Sequence, residues 1–433
     1  MSVKRWLLLL VIGLVCAALA LAALLQWLAS TDWWVSLPHA PAGLWSSWPF
    51  NVVLFLAGAA AMIAGVFGLN RSLLSAFRRG GQGEVVDVVY SYRQRQRGPK
   101  VVAIGGGHGL STLLRGLKDY TDNITAVLTV ADDGGSSGRL RRDLGMLPPG
   151  DFRNCIAALS NAEGLMGELF QYRFGDDSGL GGHSFGNLYI TAMAAITGSF
   201  ESALSESGRV LAVRGRVIPS TLSQVNLCAD IWLKAPEETV DAASSASSLP
   251  ARPAAAVKNG RLTNVCGESK IPTVAGRIQR VYLDPEDAPA YPEAIRAILE
   301  ADLIVAGPGS LYTSVLPNLL VRDLAQAVRA SAAPKVYVCN VATQPGETEG
   351  FDVTAHVDVL RDHLGPGVFD AVLANNTFRL DRPPGGGADF VRLPGRGAAI
   401  DYELMAKDLV DGEYPWRHDP DKLARAVLEF VRT

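Results

Sequence analysis

The chain has 433 residues, 48% of them hydrophobic and 19% charged, and its 40 basic and 43 acidic side chains leave a formal net charge of −3. So much apolar chain excludes a mainly disordered protein. The near-balance of charge argues against a general nucleic-acid binder, which carries a basic excess.

Residues 6–28 contain no charged side chain. At about 1.5 Å per residue they can cross a hydrocarbon layer of ~30 Å. The run is longer than the ~7–15 apolar residues of a signal peptide. A second apolar stretch runs from about Pro49 to Leu69, so residues 1–70 read as a two-helix membrane anchor. Lys4 and Arg5 precede the first span, and Arg71, Arg78 and Arg79 follow the second. The loop between carries only Asp32 and His39, which places both ends in the cytoplasm by the positive-inside bias. Trp27, Trp33, Trp34, Trp45 and Trp48 cluster around that loop as an aromatic belt does. No ionisable group lies inside either span, which fits tethering rather than transport. Residues 71–98 form a linker with Gly80, Gly81 and Gly83, then Arg93, Arg95 and Arg97. Those arginines suit either anionic lipid headgroups or plain solvation.

Residues 99–433 read as alternating strands and helices. Apolar strands are expected at 100–104, 124–130, 302–306, 335–340 and 370–374, with a helix over 110–120. Fully apolar strands between helices imply a mostly parallel α/β sheet, Rossmann-like, covered on both faces. From about 208 to 285 the pattern differs. Segments 209–218, 225–233 and 277–283 suggest short strands of a β-rich insertion, and the Ala/Ser/Pro-rich run 241–256 suggests a surface loop. Cys16, Cys155, Cys228, Cys266 and Cys339 stand apart with no CxxC, and are expected as free thiols in a reducing compartment.

Polar loops follow several of the strands. Gly105-Gly106-Gly107-His108-Gly109 lies between a strand and a helix, where glycines let the backbone approach a phosphate and the helix N-terminus offers N–H groups. The spacing is neither GxGxxG nor a Walker P-loop. Asp132 and Asp133 follow the next strand and could meet ribose hydroxyls or a hydrated divalent cation; Arg139, Arg141 and Arg142 could meet phosphates. Asp151 reads as a helix N-cap, and His183 as a structural histidine or a ligand. Gly307 to Ser314 and Thr343 to Thr348 end two further strands. Loops at successive strand ends converge on one rim, which argues for a shared pocket.

Together, segments 104–117, 129–140, 148–154, 184–188, 265–271, 307–318 and 336–348 resemble the YvcK/CofD-like family, most closely its YvcK branch, over about residues 99 to 430. The resemblance implies a Rossmann-like nucleotide-binding core. Its transferase branch moves a phospholactyl group from a nucleotide-activated donor to a deazaflavin alcohol. Its YvcK branch binds UDP-sugars, notably UDP-N-acetylglucosamine, and is linked to cell shape, wall synthesis and gluconeogenic growth. Carried onto this chain, nucleotide contacts are expected from Gly105, Gly106, Gly107, His108, Gly109, Asp132, Asp133, Ser136, Ser137, Arg139, Asn187, Gly307, Gly309, Ser310, Tyr312 and Arg417. His108 stands where the family usually has threonine, and Arg417-His418 resembles an Arg-His pair that meets the sugar nucleotide.

The leading expectation is therefore a cytoplasmic UDP-sugar-binding regulator held at the membrane. Its partners would be the sugar nucleotide, the cytoplasmic membrane, an unidentified protein and, on base rates alone, a second copy in a homodimer, with no nucleic acid. The alternative is a phospholactyl-type transferase in which Asp132 or Asp133 is catalytic and holds Mg. A third reading is a membrane scaffold with a vestigial pocket.

Overall fold

The computed structural model describes residues 3–29, 48–77, 93–161, 164–175, 179–233, 261–384, 387–395 and 400–431. The loop residues Trp33, Trp34 and Trp45, the linker positions Arg78 to Gly83 and the run 241–256 lie outside the described residues. Contacts divide the chain into two units, Met1–Arg93 and Gln94–Thr433.

The first unit is a helical hairpin of α1 (Val3–Ala29) and α2 (Trp48–Phe77). Each holds a stretch long and apolar enough to cross a membrane, Arg5–Ala23 and Asn51–Leu69. Small residues let the two backbones approach closely. A Cβ on Gly58 would stand 3.0 Å from the carbonyl of Gly13, and one on Gly65 3.0 Å from Leu10. Trp6 lies over Gly68, so the helices run antiparallel.

The second unit is built on a seven-stranded sheet of order β10-β9-β8-β7-β1-β2-β3. Its strands are β1 (Val101–Gly105), β2 (Ile124–Leu128), β3 (Arg216–Pro219), β7 (Leu303–Ala306), β8 (Lys335–Val338), β9 (Ala371–Asn375) and β10 (Glu403–Lys407). Every pairing in it is parallel. β1, β2, β7 and β9 are buried at every position, the reason they read as unbroken apolar runs. From β1 the chain builds outward through β2 and β3 on one side, and later through β7 to β10 on the other. The order thus reverses between β1 and β7, the place where such sheets open a crevice.

Three helices matter for the cleft and one for its support: α3 (Gly107–Leu117), α4 (Gly135–Leu144), α5 (Gly150–Leu159) and the C-terminal Pro420–Leu428. A second sheet, of order β5-β4-β6, is antiparallel, with β4 (Asn226–Leu233), β5 (Leu262–Cys266) and β6 (Gly276–Asp284).

Three expectations need correction. Segment 209–218 does not join the small sheet: its last residues form β3, which pairs with β2 and covers that edge of the main sheet. Residues 370–374 are not the last strand, because β10 follows; its half-exposed, mixed-polarity residues hide it from an apolar pattern. Finally, Cys228 and Cys266 are not free thiols but a disulfide across β4 and β5. They stand directly opposite in the antiparallel register, which brings their side chains together although 38 residues separate them in sequence. Cys155 and Cys339 are free and buried as expected.

Candidate functional site

A cleft of about 600 Å³ opens at the β1/β7 reversal. Two other clefts, of about 570 and 530 Å³, are nearly as large, so volume does not choose among them. The first lines the β3 edge and the second lies on the small sheet. Only the β1/β7 cleft gathers the loops that follow β1, β2, β7 and β8.

The turn after β1 forms one wall. Gly106 caps α3 in an extended conformation, and Gly107 has φ of 65°, where a side chain is strained. Close approach fixes the other two glycines. A Cβ on Gly106 would stand 2.4 Å from Oδ2 of Asp151, and one on Gly109 2.5 Å from the carbonyl oxygen of Pro308. The result is a helix N-terminus whose positive dipole end faces the cleft, with its Gly107 N–H donating to Asp151. His108 rides on this turn. Partial desolvation, then the charges of Arg153, Arg417 and Arg173, hold its imidazole below the usual range. That end of the cleft is electropositive.

Carboxylates form the opposite character. Asp132, Asp151 and Glu268 line the cleft together. Burial, then the charge of Asp132, pushes Asp151 up to about 7, although the Gly107 N–H donates to it. Burial, then Asp132, Asp151 and Asp133, pushes Glu268 up to about 8. Burial also raises Asp132, opposed by hydrogen bonds from the Gly134 N–H and the Ser137 hydroxyl. Glu347 sits behind the β7 loop, raised to about 6 by burial, and its Oε1 accepts from the Thr313 hydroxyl at 3.0 Å. Among the described residues, no group of three or more His, Cys, Asp or Glu is arranged to hold a metal ion.

The loop after β7 is fixed by asparagines. Asn340 accepts from the Gly309 N–H at 3.0 Å and donates to the Gly309 carbonyl at 2.9 Å. Gln344 donates to the Ser310 hydroxyl at 2.6 Å. Asn318 donates to the carbonyl of Gly105 at 2.9 Å, tying the β7 side to the end of β1. Across the mouth lie Trp416, Arg417 and His418. Burial pushes His418 down to about 4, so it is neutral, and its Nε2 has no hydrogen-bond partner among the described residues.

The cleft brings together Gly106, Gly107, His108, Gly109, Asp132, Gly309, Ser310 and Arg417 of the expected set. The others lie behind it. Gly105 ends β1, and Gly307 precedes Pro308 with φ of 80°. Asp133 accepts from the Ser269 N–H at 2.9 Å. Ser136 is buried between His183, at 3.0 Å, and Asn187, which donates to it at 3.0 Å. Ser137 is buried beside Asp132, and Arg139 donates to the carbonyl of Gly181. Tyr312 is 2% exposed, its ring packed edge-on to His363.

Asp151 is not the N-cap that the sequence suggested. Pro149 holds that position, and Asp151 turns its carboxylate to the glycine loop. Sequence reasoning assigned no site role to Glu268, Asn340 or Trp416. Glu268 and Asn340 lay within segments quoted for the resemblance; Trp416 carried no local signal.

Fold and cleft define a doubly wound α/β protein with a crevice at its reversal point, and residues 101–382 match the family described as 2-phospho-L-lactate transferase CofD. The chain belongs to this CofD/YvcK family. Within it, the similarity is to proteins named gluconeogenesis factors. That of Halalkalibacterium halodurans is 42% identical over 76% of this chain and 95% of its own. That of Bacillus subtilis is 48% identical over 64% of this chain and 79% of its own. A Nostoc sp. relative is 42% identical over 99% of this chain and 91% of its own, which takes in the N-terminal helices. A crystal structure of a UPF0052-family member from Bacillus halodurans superposes with a TM-score of 0.65 at 40% identity, over 77% of this chain and 99% of that one.

Proposed function

We propose that this protein binds a UDP-sugar, with UDP-N-acetylglucosamine the candidate, in the β1/β7 cleft, and that the helical hairpin tethers it to the cytoplasmic membrane as a regulator of gluconeogenic growth, cell shape and wall synthesis. The observation that carries the reading is that one cleft combines a helix N-terminus and an arginine with three carboxyl groups. The α3 N-terminus with Arg417 suits a diphosphate. Asp132, Asp151 and Glu268 suit the hydroxyls and amide of a sugar. Asp151 and Glu268 keep protons near neutral pH and can donate as well as accept.

Neither Ser310 nor Ser136 offers an activated nucleophile to the cleft, whereas Asp132, Asp151 and Glu268 would serve a transferase. Ser310 is engaged by the amide of Gln344, and the Ser136–His183 pair stands outside the lining. If a divalent cation accompanies the ligand, Asp132 is the lining residue that would meet it.

Calorimetric titration of the full-length protein in lipid nanodiscs tests this. The expected result is binding of UDP-N-acetylglucosamine in preference to GDP, with the ligand recovered intact. Tight magnesium-dependent GDP binding with turnover of a nucleotide-activated donor would instead make the protein a transferase. Binding of neither nucleotide would end both readings.

A further inference from the structure

We propose that Cys228 and Cys266 form a reversible dithiol–disulfide switch that sets the position of Glu268 in the cleft. The switch deepens the nucleotide-site reading and rests on it for its effect on affinity, while its effect on the loop is independent of that reading.

Its first support is access. Cys228 is 1% exposed, whereas Cys266 is exposed at the end of β5. One cysteine is exposed and the other buried, the arrangement in which an attacking and a resolving thiol divide the work. β5 is also an edge strand, paired to β4 alone.

The second support is proximity. Cys266 is followed at once by Gly267, Glu268 and Ser269. The Gly267 N–H donates to the Leu227 carbonyl at 2.8 Å, and the Ser269 N–H donates to Oδ1 of Asp133 at 2.9 Å. Gly267 adopts φ of 120°, and a Cβ there would stand 2.6 Å from Oδ2 of Asp133. Glu268 is therefore the middle residue of a short strap, fastened at one end by the disulfide and at the other by Asp133.

The third support is a force for the strap to resist. Glu268 faces the negative field of Asp132, Asp151, Asp133 and Glu347. Above about pH 8, where Glu268 has lost its proton, the closed strap holds it against that repulsion. With the disulfide open, the β5 ladder, the hydrogen bonds just named and those from the Lys270 and Ile271 N–H groups to the Gly267 carbonyl, at 3.1 and 3.2 Å, still hold the turn, and Glu268 gains freedom to move toward solvent.

The chemistry closes with a small-molecule disulfide such as glutathione disulfide as oxidant. The Cys266 thiolate attacks one of its sulfurs, forming a mixed disulfide and releasing one glutathione thiolate. The Cys228 thiol loses its proton and attacks the Cys266 sulfur, releasing the second glutathione. Two protein thiols are oxidised and one glutathione disulfide is reduced to two thiols. A dithiol reductant reverses both steps. In a reducing compartment the open form prevails, and the closed form marks oxidative stress.

The test compares full-length protein in nanodiscs after glutathione disulfide and after dithiothreitol. Thiols are counted by alkylation and mass spectrometry, amide hydrogen exchange is followed over residues 264–270, and UDP-N-acetylglucosamine is titrated. Reduction should expose two more thiols, speed exchange at Gly267 and Ser269, and weaken binding about five- to tenfold, the lower range of allosteric coupling. The C228S/C266S variant should behave as reduced protein under both treatments, and Glu268→Ala should keep the exchange change but lose the redox dependence of affinity. Equal exchange rates in the two states, or thiols that never pair, overturn the proposal. If exchange changes and no UDP-sugar binds in either state, the switch stands and the nucleotide reading falls.

Discussion

Asn340 holds Gly309 at two points of its backbone, accepting from its N–H at 3.0 Å and donating to its carbonyl at 2.9 Å. A side chain at the end of β8 thereby sets the loop after β7, and with it Ser310 in the cleft. Asn340→Ala removes both bonds and should cost about 1–3 kcal/mol, the usual toll of unpaired half-buried polar groups. Asn340→Asp keeps the acceptor for the N–H and should recover part of the loss. Urea unfolding of the two variants, with ligand titration of each, measures this.

Substitutions in the glycine turn should separate by mechanism. Gly109→Ala meets a backbone carbonyl, that of Pro308, which has little room to retreat. Gly106→Ala meets side chains rather than backbone, the carboxylate of Asp151 at 2.4 Å and Cγ2 of Thr129 at 3.3 Å, which can shift. Gly107→Ala finds its nearest neighbour at 3.9 Å and carries only the strain of its left-handed backbone, about 1–2 kcal/mol. Gly109→Ala should therefore lower thermal stability most. Gly106→Ala should instead change the pH dependence of binding, because it displaces Asp151.

Glu268 and Asp151 make stability fall as pH rises. Their folded-state values, about 8 and about 7, lie above those of an ordinary carboxyl group. Between the ordinary range and about pH 8 the folded chain keeps protons that the unfolded chain has released, so the free protein loses stability through that window. Glu268→Gln should stabilise it at pH 9 and hardly change it at pH 4. Each unit of upward shift is worth about 1.4 kcal/mol, which sets a ceiling of about 5 kcal/mol for Glu268 at the alkaline end. A gain of equal size at both pH values would show that Glu268 does not carry the effect.

Arg417 is exposed at the mouth, with its guanidinium 5.7 Å from the Tyr414 ring. Arg417→Ala should leave unfolding unchanged and weaken a diphosphate ligand by about tenfold, which is about 1.4 kcal/mol. The same change removes one of the positive charges that lower His108. Its imidazole should then titrate at higher pH, a shift that NMR reads without any ligand.

What could be read from the sequence follows from how local each constraint is. β1, β2 and β7 are buried on both faces, so their residues are apolar without interruption and announce a covered parallel sheet. The glycine turn was legible because left-handed backbone and close approach leave few other residues to use. Glu268 was not legible as a lining residue, because it reaches the cleft from the small sheet, more than a hundred residues from the glycine turn. The Cys228–Cys266 pair depends on strand register, which neither spacing nor composition reveals. Tyr312 was expected at the ligand from the resemblance alone, but its backbone turns the ring into the core.

The C-terminal helix, Pro420–Leu428, lies so close to α3 that a Cβ on Gly116 would stand 1.9 Å from the Pro420 carbonyl oxygen. α3 is also the helix whose first turn forms the glycine wall. During synthesis, then, the glycine loop leaves the ribosome some three hundred residues before the helix that buries the back of its support. A nascent chain paused anywhere before Pro420 carries α3 with that face uncovered. The packing that supports the glycine turn is therefore completed only after Pro420 has been made, long after the turn itself.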